Sequence, residues 1–99
     1  MPTPDSGTVT AMERSITIVN RLGLHARAAA KLVTLAARYH AEIRVRSKHR
    51  EVSGKSIMGV MMLAAAQGTR ITLIAEGEDA AEALEALAQL VAERFGEEA

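Results

Sequence analysis

A histidine and an arginine two positions apart stand where a loop gives way to a strong helix former. In GLHARAAAK, residues 23–31, everything from Ala26 onward is alanine, arginine or lysine. His25 therefore occupies a helix entrance, a position that Ser, Thr, Asp or Asn would cap better. The first turn of a helix carries free N–H groups and the positive end of the macrodipole. That potential opposes further positive charge on the ring and leaves a nitrogen lone pair available. If this nitrogen takes up a phosphoryl group, the product is a phosphate at a helix N-terminus, a natural anion site. Arg27 adds a guanidinium suited to phosphate oxygens, and covalent histidine chemistry is an established catalytic strategy. By spacing alone, the same residues read equally as a half-exposed histidine at a loop–helix junction beside a solvated basic face. His40 and His49 lack such a setting and read as structural or surface residues.

A second polar group stands at another helix entrance. Ser56 precedes IMGVMMLAAA, residues 57–66, which contains no polar side chain, and it can cap that segment through its hydroxyl. In a small domain only one side of so apolar a helix can be buried. Some of Ile57, Met58, Met61 and Met62 should then be exposed, and methionine on an exposed patch suits docking to several partners. The bland alternative is that the segment is core. GKS at residues 54–56 is no phosphate-binding loop, because His49 stands where that motif needs glycine. Three histidines without paired carboxylates make no metal site, and no serine, histidine and carboxylate share a hydrolase motif. No cofactor is called for.

Periodicity supplies the elements that must position these groups. Residues 15–20 (SITIVN) alternate as a strand with Ile16 and Ile18 on one face, and residues 20–23 form a loop. From Ala26 to about Tyr39, Ala29, Leu32, Val33 and Ala36 recur at helical spacing, opposite Arg27, Lys31, Thr34 and Arg38. Residues 41–47 alternate again, with Ile43 and Val45 inward and Arg44 and Arg46 outward. A short strand follows at 50–52, and a fourth spans 70–76. Asp79 and Glu82 form a capping-box pattern ahead of the last helix, whose stripe is Leu84, Leu87, Ala88, Val91 and Phe95, with Gly96 as the stop. The order is βαββαβα. It implies an α+β open-faced β-sandwich, a four-stranded antiparallel sheet with three helices on one face.

Composition narrows the function classes. Of 99 residues 48% are apolar but only 2% aromatic, so one core must be built from aliphatic side chains. Twelve basic and twelve acidic residues cancel, which argues against recruitment to nucleic acid or membrane by bulk charge. Base stacking on the open sheet would need aromatics there, and Tyr39 and Phe95 both fall on expected helices. The absence of cysteine fits a cytoplasmic chain, and no apolar run approaches the roughly 20 residues that cross a bilayer. Residues 1–11 (MPTPDSGTVTA) lack the regions of a secretory signal and read as a flexible tail before a single domain at 12–99, with translation starting at Met1 or at Met12.

At GLHAR (residues 23–27) and SGKSIMGVMML (residues 53–63) the chain resembles the histidine-containing phosphocarrier family, HPr and NPr, of the bacterial phosphotransferase system. The likeness covers residues 12–96. It implies that His25 accepts a phosphoryl group on Nδ1 from enzyme I and passes it to a IIA-type domain. It further implies that Arg27 assists the transfer, and that Ser56 is the serine modified by HPr kinase/phosphorylase in many members. The segment around Ile57, Met58 and Met61 would be the docking patch of a monomeric carrier, not an enzyme, serving sugar uptake or nitrogen-related regulation. The alternative is a regulatory interaction module of the same fold, controlled through Ser56. Most members have proline where Ala28 stands; alanine also suits a first helical turn, so transfer should survive the change.

Overall fold

The computed structural model describes residues 11–99; the expected flexible tail, Ala11 apart, lies outside the described residues. Four strands form one antiparallel sheet: β1 (Met12–Thr17), β2 (Glu42–Ser47), β3 (Arg50–Ser53) and β4 (Arg70–Glu76), in the spatial order β1-β4-β2-β3. Helices α1 (Ala26–Ala36), α2 (Ile57–Met62) and α3 (Ala80–Ala92) complete the βαββαβα order. The expected open-faced sandwich is the observed fold. One sheet face supplies Ile43, Val45, Ile71, Leu73 and Ala75 to the core; α1 supplies Ala29, Leu32 and Ala36, and α3 supplies Leu84, Leu87 and Val91. Because strand side chains alternate while helical ones recur every three or four residues, these sets are the ones that can share a single dry layer.

Element ends depart from the periodic reading where tertiary bonds compete. The first strand begins at Met12, earlier than expected, because Met12 to Thr17 pair with Ala75 to Arg70 although this edge segment is polar. Ile18 and Val19 lie beyond it, and Ile18 is still fully buried. Helix α1 stops at Ala36 rather than Tyr39; Arg38 and Tyr39 turn in tighter bonds to the carbonyls of Leu35 and Ala36. Tyr39 is therefore off the helix. Helix α2 covers six residues, not ten, and Ala64 just beyond it takes a left-handed φ of 50°. The expected capping box at Asp79 does not form. Its carboxylate instead accepts the N–H groups of His40 and Ala41, both at 2.8 Å, binding the start of α3 to the entry of β2.

The chain beyond α3 is the largest surprise. The helix ends at Ala92, before Gly96, and Arg94, Phe95 and Gly96 follow at φ 60°, 54° and 79°. This reversal swings Phe95 off the stripe of α3 yet leaves it completely buried. Non-glycine residues pay strain in that region, so burial of the chain's one phenylalanine must outweigh it. Lys31 Nζ donates to the Phe95 carbonyl at 2.6 Å and fastens the turn to α1.

The open face of the sheet is not a free basic surface. Arg44 lies 3.0 Å from Glu51, 3.4 Å from Glu76 and 3.5 Å from Glu42, while Arg46 meets Glu13 at 3.3 Å and Glu51 at 3.6 Å. Both arginines are half-buried, and Ile74, which pairs with Glu13 and Arg44 across the strands, is only 2% exposed. Long charged side chains cover apolar surface in this way.

Candidate functional site

His25 is the N-cap of α1, with extended backbone (φ −74°, ψ 179°), and its side chain caps nothing. The loop before it is held in two ways. Gly23 adopts φ +69° and packs so closely that a Cβ would stand 2.5 Å from the Ala65 carbonyl oxygen. Leu24 N–H donates to that same oxygen at 2.9 Å. The histidine loop is thereby stitched to the turn that follows α2, which explains why glycine is needed at this close approach.

Freed from capping, the imidazole turns elsewhere. Its Nε2 lies 2.5 Å from Glu97 Oε2, and the other oxygen of that carboxylate accepts Asn20 Nδ2 at 3.0 Å. Asn20 is fully buried and also donates to the Gly23 carbonyl at 2.8 Å. Two acceptors on one amide group identify it as the NH2 end. Burial alone would push the Glu97 carboxyl up; the hydrogen bonds from Asn20 and His25 and the nearby charge of Lys31 outweigh it and hold the group below its usual range. A half-buried, ionised acceptor thus sits against one ring nitrogen. Nδ1, the other, has no hydrogen-bond partner among the described residues.

The ring is accessible, with 28% of its side-chain surface exposed. An open cavity of about 670 Å³ lies against it, bordered by Arg21, Leu22, Ala26, Arg27, Glu97 and Ala99. Arg27 is exposed as expected, and Arg21 joins it; neither has an ion-pair partner among the described residues. Two such guanidiniums lining one cavity with the imidazole make a setting for an anion. Ala28, the position of the absent proline, is fully buried in the first turn of α1.

Ser56 caps α2, its Oγ accepting Gly59 N–H at 3.0 Å. Ile57, Met58, Met61 and Met62 are all exposed, and Val60 is the helix's buried residue. Leu22, beside the histidine, is 68% exposed. Asn20, Arg21 and Glu97 escaped the sequence reading. Glu97 lies 72 residues from His25, and no local pattern marks it. Among the described residues no group of three or more His, Asp or Glu could hold a metal ion, and no helix is long and apolar enough to cross a membrane.

Comparison with known proteins places this architecture. A family model described as the phosphorylation site of the phosphotransferase system HPr component matches residues 12–93. The chain is 51% identical over 86 residues to the phosphocarrier protein HPr of Cupriavidus necator, covering 87% of this chain and 97% of that one. It is 58% identical over 83 residues to HPr of Pseudomonas aeruginosa (83% and 92%), and 45% identical over 89 residues to the phosphocarrier protein NPr of Shewanella violacea (90% and 98%). The crystal structure of HPr from Thermoanaerobacter tengcongensis superposes with a TM-score of 0.85 at 44% identity, covering 89% of this chain and 99% of that one. A histidine at a helix entrance, carried on an open-faced sandwich of this sequence, belongs to the HPr/NPr family of phosphocarriers of the phosphotransferase system.

Proposed function

We propose that His25 is the residue that carries the phosphoryl group, received on Nδ1 from phosphorylated enzyme I and delivered to a IIA-type domain. The observation that carries this reading is the ring itself. It is partly exposed at the start of α1, committed to Glu97 through Nε2, with Nδ1 uncommitted and Arg21 and Arg27 unpaired nearby. In the transfer the Nδ1 lone pair forms the N–P bond. The bond from phosphorus to the donor's leaving atom breaks, and its electron pair departs with that atom. The charge on the phosphoryl oxygens then meets the first N–H groups of α1, donors already fixed before the reaction, and the two exposed guanidiniums. Delivery to the acceptor runs the same displacement in the other direction, so the protein is consumed and regenerated rather than turning over a small molecule.

The exposed side chains of Ile57, Met58 and Met61 supply an adaptable apolar surface for docking, with Leu22 beside the histidine extending it. Ser56 is the regulatory site of this reading, open to an HPr kinase/phosphorylase. A phosphate there would bring about −1.5 to −2 charges next to the docking surface and weaken binding of acidic partners. The test is incubation with phosphoenolpyruvate and enzyme I, followed by mass measurement. The native protein should gain one acid-labile phosphoryl group and His25→Ala none. An adduct that persists in His25→Ala, or its absence from the native protein, would overturn the assignment.

A further inference from the structure

The C-terminal segment does more than close the core. After the left-handed reversal at Arg94, Phe95 and Gly96, the chain crosses back to the histidine loop. It is fastened there by Lys31 Nζ on the Phe95 carbonyl and by Arg21 N–H on the Ala99 carbonyl at 3.0 Å. Between these anchors stands Glu97, its side chain 14% exposed, one oxygen on Asn20 and the other on His25 Nε2. We propose that Glu97 is a positioning residue for the phosphoryl carrier, holding the ring by its Nε2–H so that Nδ1 keeps the lone pair and faces transfer in a fixed orientation.

An ionised carboxylate only accepts hydrogen bonds, so the nitrogen against it must carry the proton. The lone pair then belongs to Nδ1. The second consequence concerns the product. When Nδ1 bonds to phosphorus, the Nε2 proton stays, and the ring becomes a phosphorylated imidazolium with its positive charge shared between both nitrogens. The Glu97 carboxylate compensates that charge at the nitrogen remote from the phosphate. A carboxylate that orients a reacting histidine and stabilises its cation plays this part in catalytic triads. Asn20 matters because it fixes the carboxylate in turn: with one oxygen tied to a fully buried amide, Glu97 cannot swing out without leaving one of that amide's two N–H groups unpaired, the other staying on the Gly23 carbonyl.

This inference rests on His25 being the acceptor, so its test includes a reading that needs no phosphoryl donor. In the native protein the Nε2 proton of His25 should give a downfield, slowly exchanging proton resonance. Glu97→Ala should lose it, and Glu97→Gln, whose amide oxygen still accepts, should keep it shifted. As substrates of enzyme I, Glu97→Ala should lose about ten- to a hundredfold in kcat, the range for removing a carboxylate that orients a metal-bound histidine. Glu97→Gln should lie between. KM should stay within about twofold, because Glu97 acts on the ring through its Nε2 hydrogen bond and is not one of the docking side chains Ile57, Met58 and Met61. An unaltered resonance in Glu97→Ala, an unchanged kcat, or a loss confined to KM would each overturn the proposal. A native protein that shows the resonance but takes up no phosphoryl group would sink the carrier assignment while the positioning of the ring stood.

Discussion

Around the histidine each side chain has one role that its chemistry permits. Glu97 accepts, Asn20 donates twice, and Arg21 and Arg27 have no ion-pair partner among the described residues, as the proposed anion binding requires. Glu97 also couples this site to stability. A carboxyl held below its unfolded value lends stability that is fully present above the ordinary glutamate range and fades as pH falls through the folded value. Urea unfolding of the native protein should therefore lose ground as pH drops below about 4.3, the usual glutamate value. Glu97→Gln lacks that component, so its advantage-free curve should flatten there and the gap to the native protein should narrow toward acid. At this scale the sequence was legible only where a role is local. His25, Arg27 and Ser56 announce themselves because a helix entrance is a property of neighbours in the chain. Glu97 and Asn20 do not, since their meeting depends on a reversal at Phe95 that aliphatic spacing predicts as plain helix.

Two short connections, rather than the long helices, fix how the site is presented. The loop of Gly23 and the turn after α2 share the Ala65 carbonyl, and the positive φ of Gly23 leaves no room for a side chain. Gly23→Ala should lower unfolding stability by about 1–3 kcal/mol, the usual range for strained backbone, and slow phosphoryl transfer through displacement of His25. A variant as stable as the native protein would show that the loop yields without cost. Helix α2 depends on its cap in the same local way. Ser56→Ala should cost about 1 kcal/mol by chemical denaturation, since Gly59 N–H loses its acceptor. The cap at Ser56 formed as the sequence suggested, while the equally clear signature at Asp79 did not. The difference lies in the neighbours: the N–H groups of His40 and Ala41 compete for the Asp79 carboxylate, and nothing in residues 79–82 foretells them.

Taken whole, the molecule separates its charges. On the open face of the sheet, arginines and glutamates from different strands answer one another. At the histidine end, Arg21 and Arg27 have no ion-pair partner among the described residues, so a chain of zero formal net charge still carries a local basic surface. The aliphatic core was readable from spacing, and Leu84, Leu87 and Val91 are buried as predicted. The place of Phe95 was not, because the same apolar residue satisfies a helix stripe and a reversed tail alike. Phe95→Ala should cost about 3–5 kcal/mol by urea or thermal unfolding, typical of emptying a buried aromatic site. It should also slow transfer more than an equally destabilising change elsewhere in the core, because Phe95 anchors the segment that bears Glu97. The bond from Arg21 N–H to the Ala99 carbonyl has a practical corollary. A bulky label attached at Ala99 would set out from the rim of the cavity that holds the His25 imidazole, and it should slow phosphorylation of the protein by enzyme I.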